Sequence, residues 1–247
     1  NRVEFNNCTF INYKRCVVIG SSRYVDMNNC FSDGYNSIGQ VVLTTDSCEV
    51  VSFTDNECRG LSYVEGYVHY GIGVTSTAAI LPFDSNRVII DGHNLYGHQA
   101  DTAVYGYKNV SIANNTIHRS GDVGISVDDS QYVSIVGNTV DGCCAGGITS
   151  FNPICLTIVG NTVKDVAQDY VESVISPSEG TAVGIWISPV STTYLLKECV
   201  VTGNTLTLTA QPPTIDPIGI RIDLFDNVSY DTNQNYVISS NSLTCNP

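Results

Sequence analysis

Carboxylates are the side chains of this chain whose types and spacing could do chemistry. Asp101, Asp122 and Asp128 fall in one short stretch, and Glu179 follows in a later acidic segment. Hydrolysis of a glycosidic bond needs two carboxyl groups, and the distance between them decides whether the configuration is retained or inverted. We therefore predict these four as the catalytic residues. The alternative for each is an ordinary turn position, because Asp is common in turns.

Aromatic side chains recur at comparable intervals and could hold a sugar. They are Tyr105, Phe151 and Trp186, which is the single tryptophan of the chain. Aromatic rings stack on the flat faces of ligands. Arg221 and Asp223 follow one interval later and would add a charged rim. We predict that these five residues bind substrate, with burial against a neighbouring subunit or loop as the alternative.

An eight-residue phrase supplies the elements that must position these side chains. Apolar residues fill its first, third and eighth places, and Asn fills the sixth in six of seven copies. The copies begin at Val51, Val88, Val110, Val133, Leu156, Cys199 and Tyr236. Three successive intervals, from 88 to 156, are 22, 23 and 23 residues. This period, in β-branched strands with Gly and Asn turns, predicts a solenoid with one coil per repeat. Two looser copies, Val3 to Phe10 and Tyr24 to Phe31, extend the pattern with their register left open, and either Cys8 or Asn7 could fill place six of the first.

The residues within one copy predict a strand and a sharp turn. Val133 and Ile135 would face the core while Ser134 faces solvent, because side chains alternate along a strand. Asn138 follows in the turn, about 4.8 Å from its equivalents in the neighbouring coils. Stacked side-chain amides can hydrogen-bond one another and the turn backbone. We therefore predict an asparagine ladder along the solenoid.

A further strand in each interval usually begins with Gly-Ile. Aligning these strands by their apolar places predicts two outward columns. The first is Ala103, Ser126, Thr149, Trp186 and Arg221, and the second is Tyr105, Asp128, Phe151, Ser188 and Asp223. The alignment also places Asp101 about 8 Å from Asp122 on the next coil, which suits an inverting pair.

Three longer intervals, which start at residues 51, 156 and 199, mark insertions into the regular coils. Loops on a rigid scaffold are where binding specificity usually resides. We expect residues 165–180, which include Glu179, to overhang the strand that carries Trp186.

The repeated phrase and its Gly-Ile partner strand resemble those of the right-handed β-helix proteins of the pectin-lyase-like superfamily, and within it the tailspike depolymerases of bacteriophages. The resemblance covers roughly residues 1–245. It implies an all-β fold, a right-handed single-stranded parallel β-helix, and binding and cleavage of bacterial capsule or O-antigen polysaccharide. It also implies a homotrimer in a virion tail, folded in the bacterial cytosol. A secreted protein is the alternative.

Two details separate the chain from one branch of that superfamily. Asp128-Asp129 resembles the paired Asp of polygalacturonases, but no Gly-His-Gly follows it. Asp223 stands where that family would need a Lys in its Arg-Ile-Lys motif. We therefore do not expect a polygalacturonase.

The residues are compatible with four functions. Glycoside hydrolysis is favoured over β-elimination because acidic side chains outnumber the candidate bases Lys108, Arg119 and Arg221. A polysaccharide lyase of the pectate-lyase type is the second possibility. A glycan-binding adhesin or fibre without catalysis is the third, and a structural solenoid that only packs against other chains is the fourth.

Length, charge and cysteine content restrict the class of protein. Unbroken repetition over 247 residues predicts one elongated domain, residues 1–247. A net charge of −13 disfavours nucleic acid as a partner, and no apolar run is long enough to cross a membrane. Ten cysteines without a Cys-x-x-Cys pair predict reduced thiols, and no motif predicts a metal or another cofactor. Because the chain begins and ends within the repeat pattern, we expect a piece of a longer polypeptide or a processed product.

A stripe of small apolar and hydroxyl residues is expected along the solenoid. Places two and four of the main repeat face outward, yet on three consecutive coils they hold Ser111, Ala113, Ser134, Val136, Thr157 and Val159. Such a stripe is poorly explained by solvent exposure. We therefore predict a parallel homotrimer, with a monomer whose stripe lies under another segment as the alternative.

Overall fold

The computed structural model describes residues 1–11, 15–20, 22–33, 41–46, 48–59, 70–75, 87–91, 94–96, 100–120, 122–143, 145–166, 183–188, 196–209, 217–223 and 235–246. Within these ranges the chain forms 26 strands, and no helix occurs there. The strands form three sheets in which neighbouring strands run parallel.

Sheet 1 contains β1 (Arg2–Asn6), β4 (Tyr24–Asn28), β7 (Val50–Thr54), β10 (Arg87–Asp91), β13 (Asn109–Ala113), β16 (Val133–Val136), β19 (Cys155–Val159), β22 (Glu198–Thr202) and β25 (Asn235–Ser239). Sheet 2 contains β2 (Thr9–Ile11), β5 (Phe31–Asp33), β8 (Glu57–Arg59), β11 (Asn94–Tyr96), β14 (Thr116–Ser120), β17 (Thr139–Cys143), β20 (Thr162–Lys164), β23 (Thr205–Thr209) and β26 (Ser242–Asn246). Sheet 3 contains β3 (Arg15–Gly20), β6 (Val41–Asp46), β9 (Tyr70–Thr75), β12 (Ala100–Tyr105), β15 (Val123–Asp128), β18 (Gly146–Phe151), β21 (Val183–Ser188) and β24 (Ile218–Ile222).

One coil places one strand in each sheet before the chain returns to sheet 1. The chain passes from β13 to β14 and β15, and β16 then pairs with β13 on the next coil. Where the sequence indicated two or three strands per coil, the structure has three. The predicted parallel solenoid of coils is therefore confirmed.

Alternation of side chains builds the core. Val133 and Ile135 are buried, while Ser134 between them is partly exposed on the outer surface. The cysteines at core-facing places of the repeat, Cys58 and Cys199, are completely buried. Burial raises the pKa of the Cys199 thiol to about 12, so this residue serves as a small apolar core residue.

The predicted asparagine ladder is present. The side-chain amide of Asn115 donates to Oδ1 of Asn138 at 2.9 Å, and its backbone N–H donates to the same oxygen at 3.0 Å. The side chain of Asn115 also donates to the Ile90 carbonyl at 3.1 Å. The same arrangement continues through Asn161, Asn204 and Asn241. Each amide satisfies a buried turn that water cannot reach.

Two cysteines continue the ladder at its other end. The backbone N–H of Cys30 donates to Oδ1 of Asn56 at 2.8 Å, and that of Cys8 donates to the sulfur of Cys30 at 3.3 Å. Cys8, and not its neighbour Asn7, therefore occupies the sixth place of the first copy. The second copy begins at Val25, which pairs with Val51, and not at Tyr24 as predicted. A copy that begins at Tyr24 would place Asp26 in the core, whereas the observed register buries Val25 and Met27.

Glycine is required where sheet 3 begins. A Cβ on Gly147 would lie 2.4 Å from Cγ1 of the core residue Val163 and 2.7 Å from the Gly184 carbonyl oxygen. Gly124 and Gly184 are equally crowded, with a core side chain at 2.5 Å from the Cβ position of each. The Gly-Ile signature thus marks the close approach of sheet 3 to the side chains of sheet 2.

Long connections of the chain flank sheet 3. In the coil that contains β15, only two residues join β14 to β15 and four join β15 to β16. In the coil that contains β21, 18 residues join β20 to β21 and nine join β21 to β22. The extra residues of the long coils therefore enter at both margins of sheet 3. Because loops on a rigid scaffold usually carry binding specificity, a binding site is expected on the outer face of sheet 3.

Candidate functional site

The outer face of sheet 3 carries the two columns that the sequence predicts. Register pairs Ala103 with Ser126, Thr149, Trp186 and Arg221 in successive coils. The second column pairs Tyr105 with Asp128, Phe151 and Ser188. The backbone N–H of Asp223 donates to the Ile187 carbonyl at 2.9 Å, which places Asp223 beside Ser188. The predicted alignment of these residues is confirmed.

Trp186 is the centre of a closed cluster on this face. Its indole Nε1 donates to Oδ2 of Asp223 at 2.7 Å. The guanidinium of Arg221 lies 4.7 Å from the centroid of the indole, within the range of a cation–π contact. The ring of Phe151 meets the indole edge to face, with centroids 5.3 Å apart. Trp186 is partly exposed and points out of the coil, so one tightly held aromatic surface remains accessible.

Arg221 and Asp223 are engaged with each other as well as with Trp186. The Nε of Arg221 lies 2.9 Å from Oδ1 of Asp223, and both side chains are about one-third exposed. Burial alone would raise the pKa of Asp223, but hydrogen bonds from Arg221, Trp186 and Ser188 outweigh it and lower that pKa. Both residues therefore hold the indole in place and present little free charge to a ligand.

Asp128 lies next to the aromatic cluster, on the coil before Phe151. Its Oδ1 accepts the backbone N–H of Phe151 at 3.1 Å, and its Oδ2 accepts the hydroxyl of Ser126 at 3.1 Å. Ser126 in turn accepts a hydrogen bond from the hydroxyl of Thr149 at 3.2 Å. The carboxyl group is therefore held in a fixed orientation, in register with Phe151.

Burial raises the pKa of Asp128 from 3.8 to about 6. The negative charge of Asp129 also raises it, while the hydrogen bonds from Phe151 and Ser126 lower it. A carboxyl group that keeps its proton up to about pH 6 can act as a general acid. Asp129 lies at the sheet edge with a φ of 48°, and its Oδ1 accepts the side-chain amide of Asn152 at 2.7 Å.

Asp101 and Asp122 lie at the opposite end of sheet 3. Asp122 precedes β15, whose Val123 pairs with Ala100, so the predicted two-residue offset between Asp101 and Asp122 agrees with the register. Burial raises the pKa of Asp122 to about 6. The described part of Asp101 is its backbone alone, so the separation of the two carboxyl groups stays a prediction. Six residues along one strand, about 20 Å, separate Asp122 from Asp128.

Glu179 and the segment around it lie outside the described residues, so their predicted position over Trp186 is not tested. Tyr105 lies within them, on the coil before Asp128, and its side chain is 38% exposed. The sequence aligns Ser126 and Thr149 correctly but does not indicate that Ser126 donates to Asp128 or that Thr149 donates to Ser126. Their only signal was their place in the column beside Asp128.

A separate groove of about 440 Å³ lies on sheet 1 and not beside Trp186. Its lining includes Ile89, Ser111, Ser134 and the exposed Tyr132. Ser111 and Ser134 belong to the predicted outward stripe, and Val136 of the same stripe is 36% exposed. The stripe therefore faces outward, as predicted.

The described residues contain neither a cluster of metal ligands nor a membrane-spanning helix. Within the described ranges, no group of three His, Cys, Asp or Glu side chains is arranged to hold a metal ion. No helix of sufficient length and hydropathy for a membrane span occurs among the same residues.

Comparison with known proteins gives one match. A family model described as a right-handed beta helix region matches residues 70–246. Searches of curated proteins and of solved structures returned no match. The matched region covers most of the chain and contains β9 to β26, with all three sheets. The chain belongs to the right-handed parallel β-helix family.

Proposed function

We propose that the outer face of sheet 3 binds bacterial surface polysaccharide and hydrolyses its glycosidic bonds. One observation carries this proposal: Asp128, which keeps its proton up to about pH 6, lies in register with Phe151 and next to the Trp186 cluster. An acid and an aromatic surface side by side are what a glycosidase needs to hold a sugar and protonate its leaving group.

The chemistry assigned to this face is a two-carboxylate hydrolysis. Asp128 donates its proton to the glycosidic oxygen as the bond from that oxygen to the anomeric carbon breaks. Water attacks the anomeric carbon and loses a proton to a second carboxylate. We assign this role to Asp129, which follows Asp128 directly in the sequence and accepts a hydrogen bond from Asn152. The products are a new reducing end and a new hydroxyl group, with no net change in protons.

Two alternatives are less well supported on this face. A lyase would need a base to remove a proton from the sugar ring, and the one cation in the two columns, Arg221, is paired with Asp223. A glycan-binding adhesin is the better alternative, because the Trp186 cluster is complete without Asp128. Loss of Asp128 would then leave the function intact.

We further propose the setting that accompanies this activity. The chain would be part of a bacteriophage tailspike, assembled as a parallel homotrimer through the stripe on sheet 1 and exposed outside the cell in the virion tail. The stripe and the neighbouring groove support the trimer, because they expose Tyr132 and Val136 beside small residues. Cys8, Cys30, Cys155, Cys199 and Cys245 are free thiols, which suits folding in a reducing cytosol.

The proposed function can be tested with capsules and O-antigens from a panel of bacteria. Each polysaccharide is incubated with the protein, followed by assays for reducing ends and for the ultraviolet absorbance of unsaturated products. We expect new reducing ends without that absorbance, and their loss in Asp128→Asn. Absorbance would identify a lyase, while binding with neither signal in the wild-type protein would identify an adhesin. Either result would overturn the hydrolase.

A further inference from the structure

The charges around sheet 3 restrict the polysaccharide that the proposed site can accept. Among the carboxylates whose side chains the structure describes, four lie on or beside the outer face of sheet 3: Asp122, Asp128, Asp129 and Asp223. One cation, Arg221, lies in the same two columns. It forms an ion pair with Asp223 and a cation–π contact with the ring of Trp186. In the described part of this face, no basic side chain is left over to pair with an acidic sugar.

The other two candidate bases lie outside the two columns: Lys108 is in the connection after β12, and Arg119 is in β14 of sheet 2. From residue 120 to the end there are 13 acidic residues and three basic ones, Lys164, Lys197 and Arg221. Lys164 belongs to sheet 2, where it pairs in register with Asp141. Lys197 precedes β22 of sheet 1 and is exposed. The connections that flank β21 and β24, namely 165–182, 189–195, 210–217 and 223–234, contain no Lys or Arg at all.

Asp128 makes an acidic ligand costly for a second reason. Its carboxyl group is already poorly solvated, and Asp129 already adds negative charge beside it. A further carboxylate from the ligand would have to lose water without gaining an ion pair, and like charges close together are unfavourable by amounts that decide specificity. A sugar hydroxyl group meets no such penalty and can hydrogen-bond to Ser126 or Asp128.

We infer that the outer face of sheet 3 selects an uncharged stretch of polysaccharide and rejects sugars that carry a carboxylate at the positions that cover Asp128 and Trp186. This inference rests on the proposed function, since it names the substrate class of the same site. It distinguishes the chain from an enzyme that recognises polyuronates by pairing their carboxylates with cations.

Trp186 offers a direct readout, because it is the only tryptophan and lies on the face itself. The probes are neutral and acidic bacterial polysaccharides, with each acidic one used in native form and after chemical reduction of its carboxyl groups to alcohols. Binding is measured at neutral pH by Trp186 fluorescence and in parallel by calorimetry. We expect carboxyl-reduced forms to bind at least about tenfold more tightly than their native forms, because repulsion is then removed.

Two matched variants show whether the effect is local. Asp128→Asn removes one negative charge from the face, and Asp141→Asn removes one from sheet 2. The preference for reduced forms should shrink in Asp128→Asn and stay unchanged in Asp141→Asn. Equal shrinkage in both would point to overall net charge and overturn the inference.

The remaining outcomes separate this inference from the proposed function. A native acidic polysaccharide that binds as tightly as its reduced form would overturn the inference and leave the proposed function standing. If no polysaccharide of the panel binds by calorimetry in either form, the proposed function itself fails, and the inference fails with it.

Discussion

The indole Nε1 of Trp186 and Oδ2 of Asp223 are 2.7 Å apart, and this hydrogen bond joins two coils that are 37 residues apart in sequence. It fixes the plane of the indole, and Arg221 then covers one side of that ring. A ring held in this way loses little further freedom when a ligand binds, which favours affinity. Asp223 and Arg221 therefore act on a ligand chiefly through the position of Trp186.

Replacement of Trp186 tests the aromatic surface. Trp186→Ala should weaken oligosaccharide binding by roughly 1–3 kcal/mol, a typical value for aromatic stacking. It should also destabilise the fold, because it leaves Asp223 and Arg221 without the ring. Trp186→Phe keeps an aromatic ring but loses the donor to Asp223, so an intermediate affinity is expected. Calorimetric titration with oligosaccharide measures both.

The control for Trp186 is Tyr24→Ala, which removes an exposed aromatic ring from sheet 1. Binding in this variant should match that of the wild-type protein. If Trp186→Ala also binds normally while it is still folded by circular dichroism, the aromatic cluster has no role in recognition.

Replacement of Asp128 tests the chemistry. Asp128→Asn should reduce turnover by about a hundredfold or more and leave binding intact, because the general acid is lost and the shape of the side chain is kept. In the wild-type protein, turnover should fall as pH rises through about 6, where Asp128 loses its proton. Both are measured as reducing ends formed per unit time.

Asp122→Asn is the matched control, since burial raises the pKa of Asp122 to about 6 as well. Because Asp122 belongs to the other predicted pair, this variant separates the two assignments: it retains wild-type turnover if Asp128 is the acid. A large loss in Asp122→Asn and in Asp101→Asn, with normal turnover in Asp128→Asn, would move the catalytic centre to the predicted pair at the other end of sheet 3.

Asp128 should also reduce the stability of the fold at neutral pH. Its folded pKa is raised from 3.8 to about 6, so the folded state holds the proton more tightly than the unfolded state does. The associated stability is fully present below pH 3.8 and is lost as pH rises through about 6. Asp128→Asn should therefore raise the free energy of unfolding above pH 6 by about 1 to 3 kcal/mol.

Urea denaturation at several pH values measures this effect. The difference between Asp128→Asn and wild type should vanish as pH falls to 3.8. A difference that stays constant across that range would mean that the carboxyl group is not perturbed by burial.

The asparagine ladder can be tested at Asn138. Asn138→Ala removes a donor to Asn161 and to Ile112 and an acceptor for Asn115, and it leaves buried backbone groups unsatisfied. We expect a loss of roughly 2–5 kcal/mol in the free energy of unfolding, since each unsatisfied buried group costs about 1–3 kcal/mol. Ser134→Ala on the outer face of the preceding strand should change it by less than about 0.5 kcal/mol. Equal effects of the two would contradict a structural ladder.

The proposed trimer makes a prediction for the stripe on sheet 1. A charged residue in place of Val136 should prevent assembly, because it would be buried without a partner against the neighbouring subunits. Sedimentation equilibrium should give three times the chain mass for the wild-type protein and the monomer mass for Val136→Glu. Asp141→Lys on sheet 2 should remain trimeric. A monomer of the wild-type protein at micromolar concentration would exclude the trimer.

The fold followed from the sequence because its determinants are local and repeated. Alternation at Val133 and Ile135 fixes which side of a strand is buried, and Asn138 marks the same turn in every regular coil. Once the repeats are aligned, Trp186 and Arg221 must be neighbours. The site was harder to predict because its properties depend on contacts between coils. Side-chain geometry, and not the repeat period, determines these contacts. Examples are the hydrogen bond from Ser126 to Asp128, the raised pKa of Asp128 and the ion pair between Arg221 and Asp223.

Contacts made by residues outside the repeated phrase could not be predicted from the sequence either. Tyr107 is completely buried, and its hydroxyl donates to the Cys48 carbonyl at 2.9 Å, although the two residues are 59 positions apart. Nothing adjacent to either residue in sequence indicates the other. The offset at Tyr24 has a different cause, because the alternation itself indicates it: a copy that begins at Tyr24 places Asp26 inward, whereas the observed register buries Val25 and Met27.

The ladder bond between Asn161 and Asn204 is 3.0 Å long, and that between Asn138 and Asn161 is 2.9 Å, although the first spans 43 residues and the second spans 23. The hydrogen-bond distance in the ladder therefore does not depend on the number of residues inserted at the margins of sheet 3. Segments could be exchanged there between related chains without repacking the interior. If the proposed polysaccharide recognition holds, its specificity could then diversify by recombination of these segments while the scaffold is inherited unchanged.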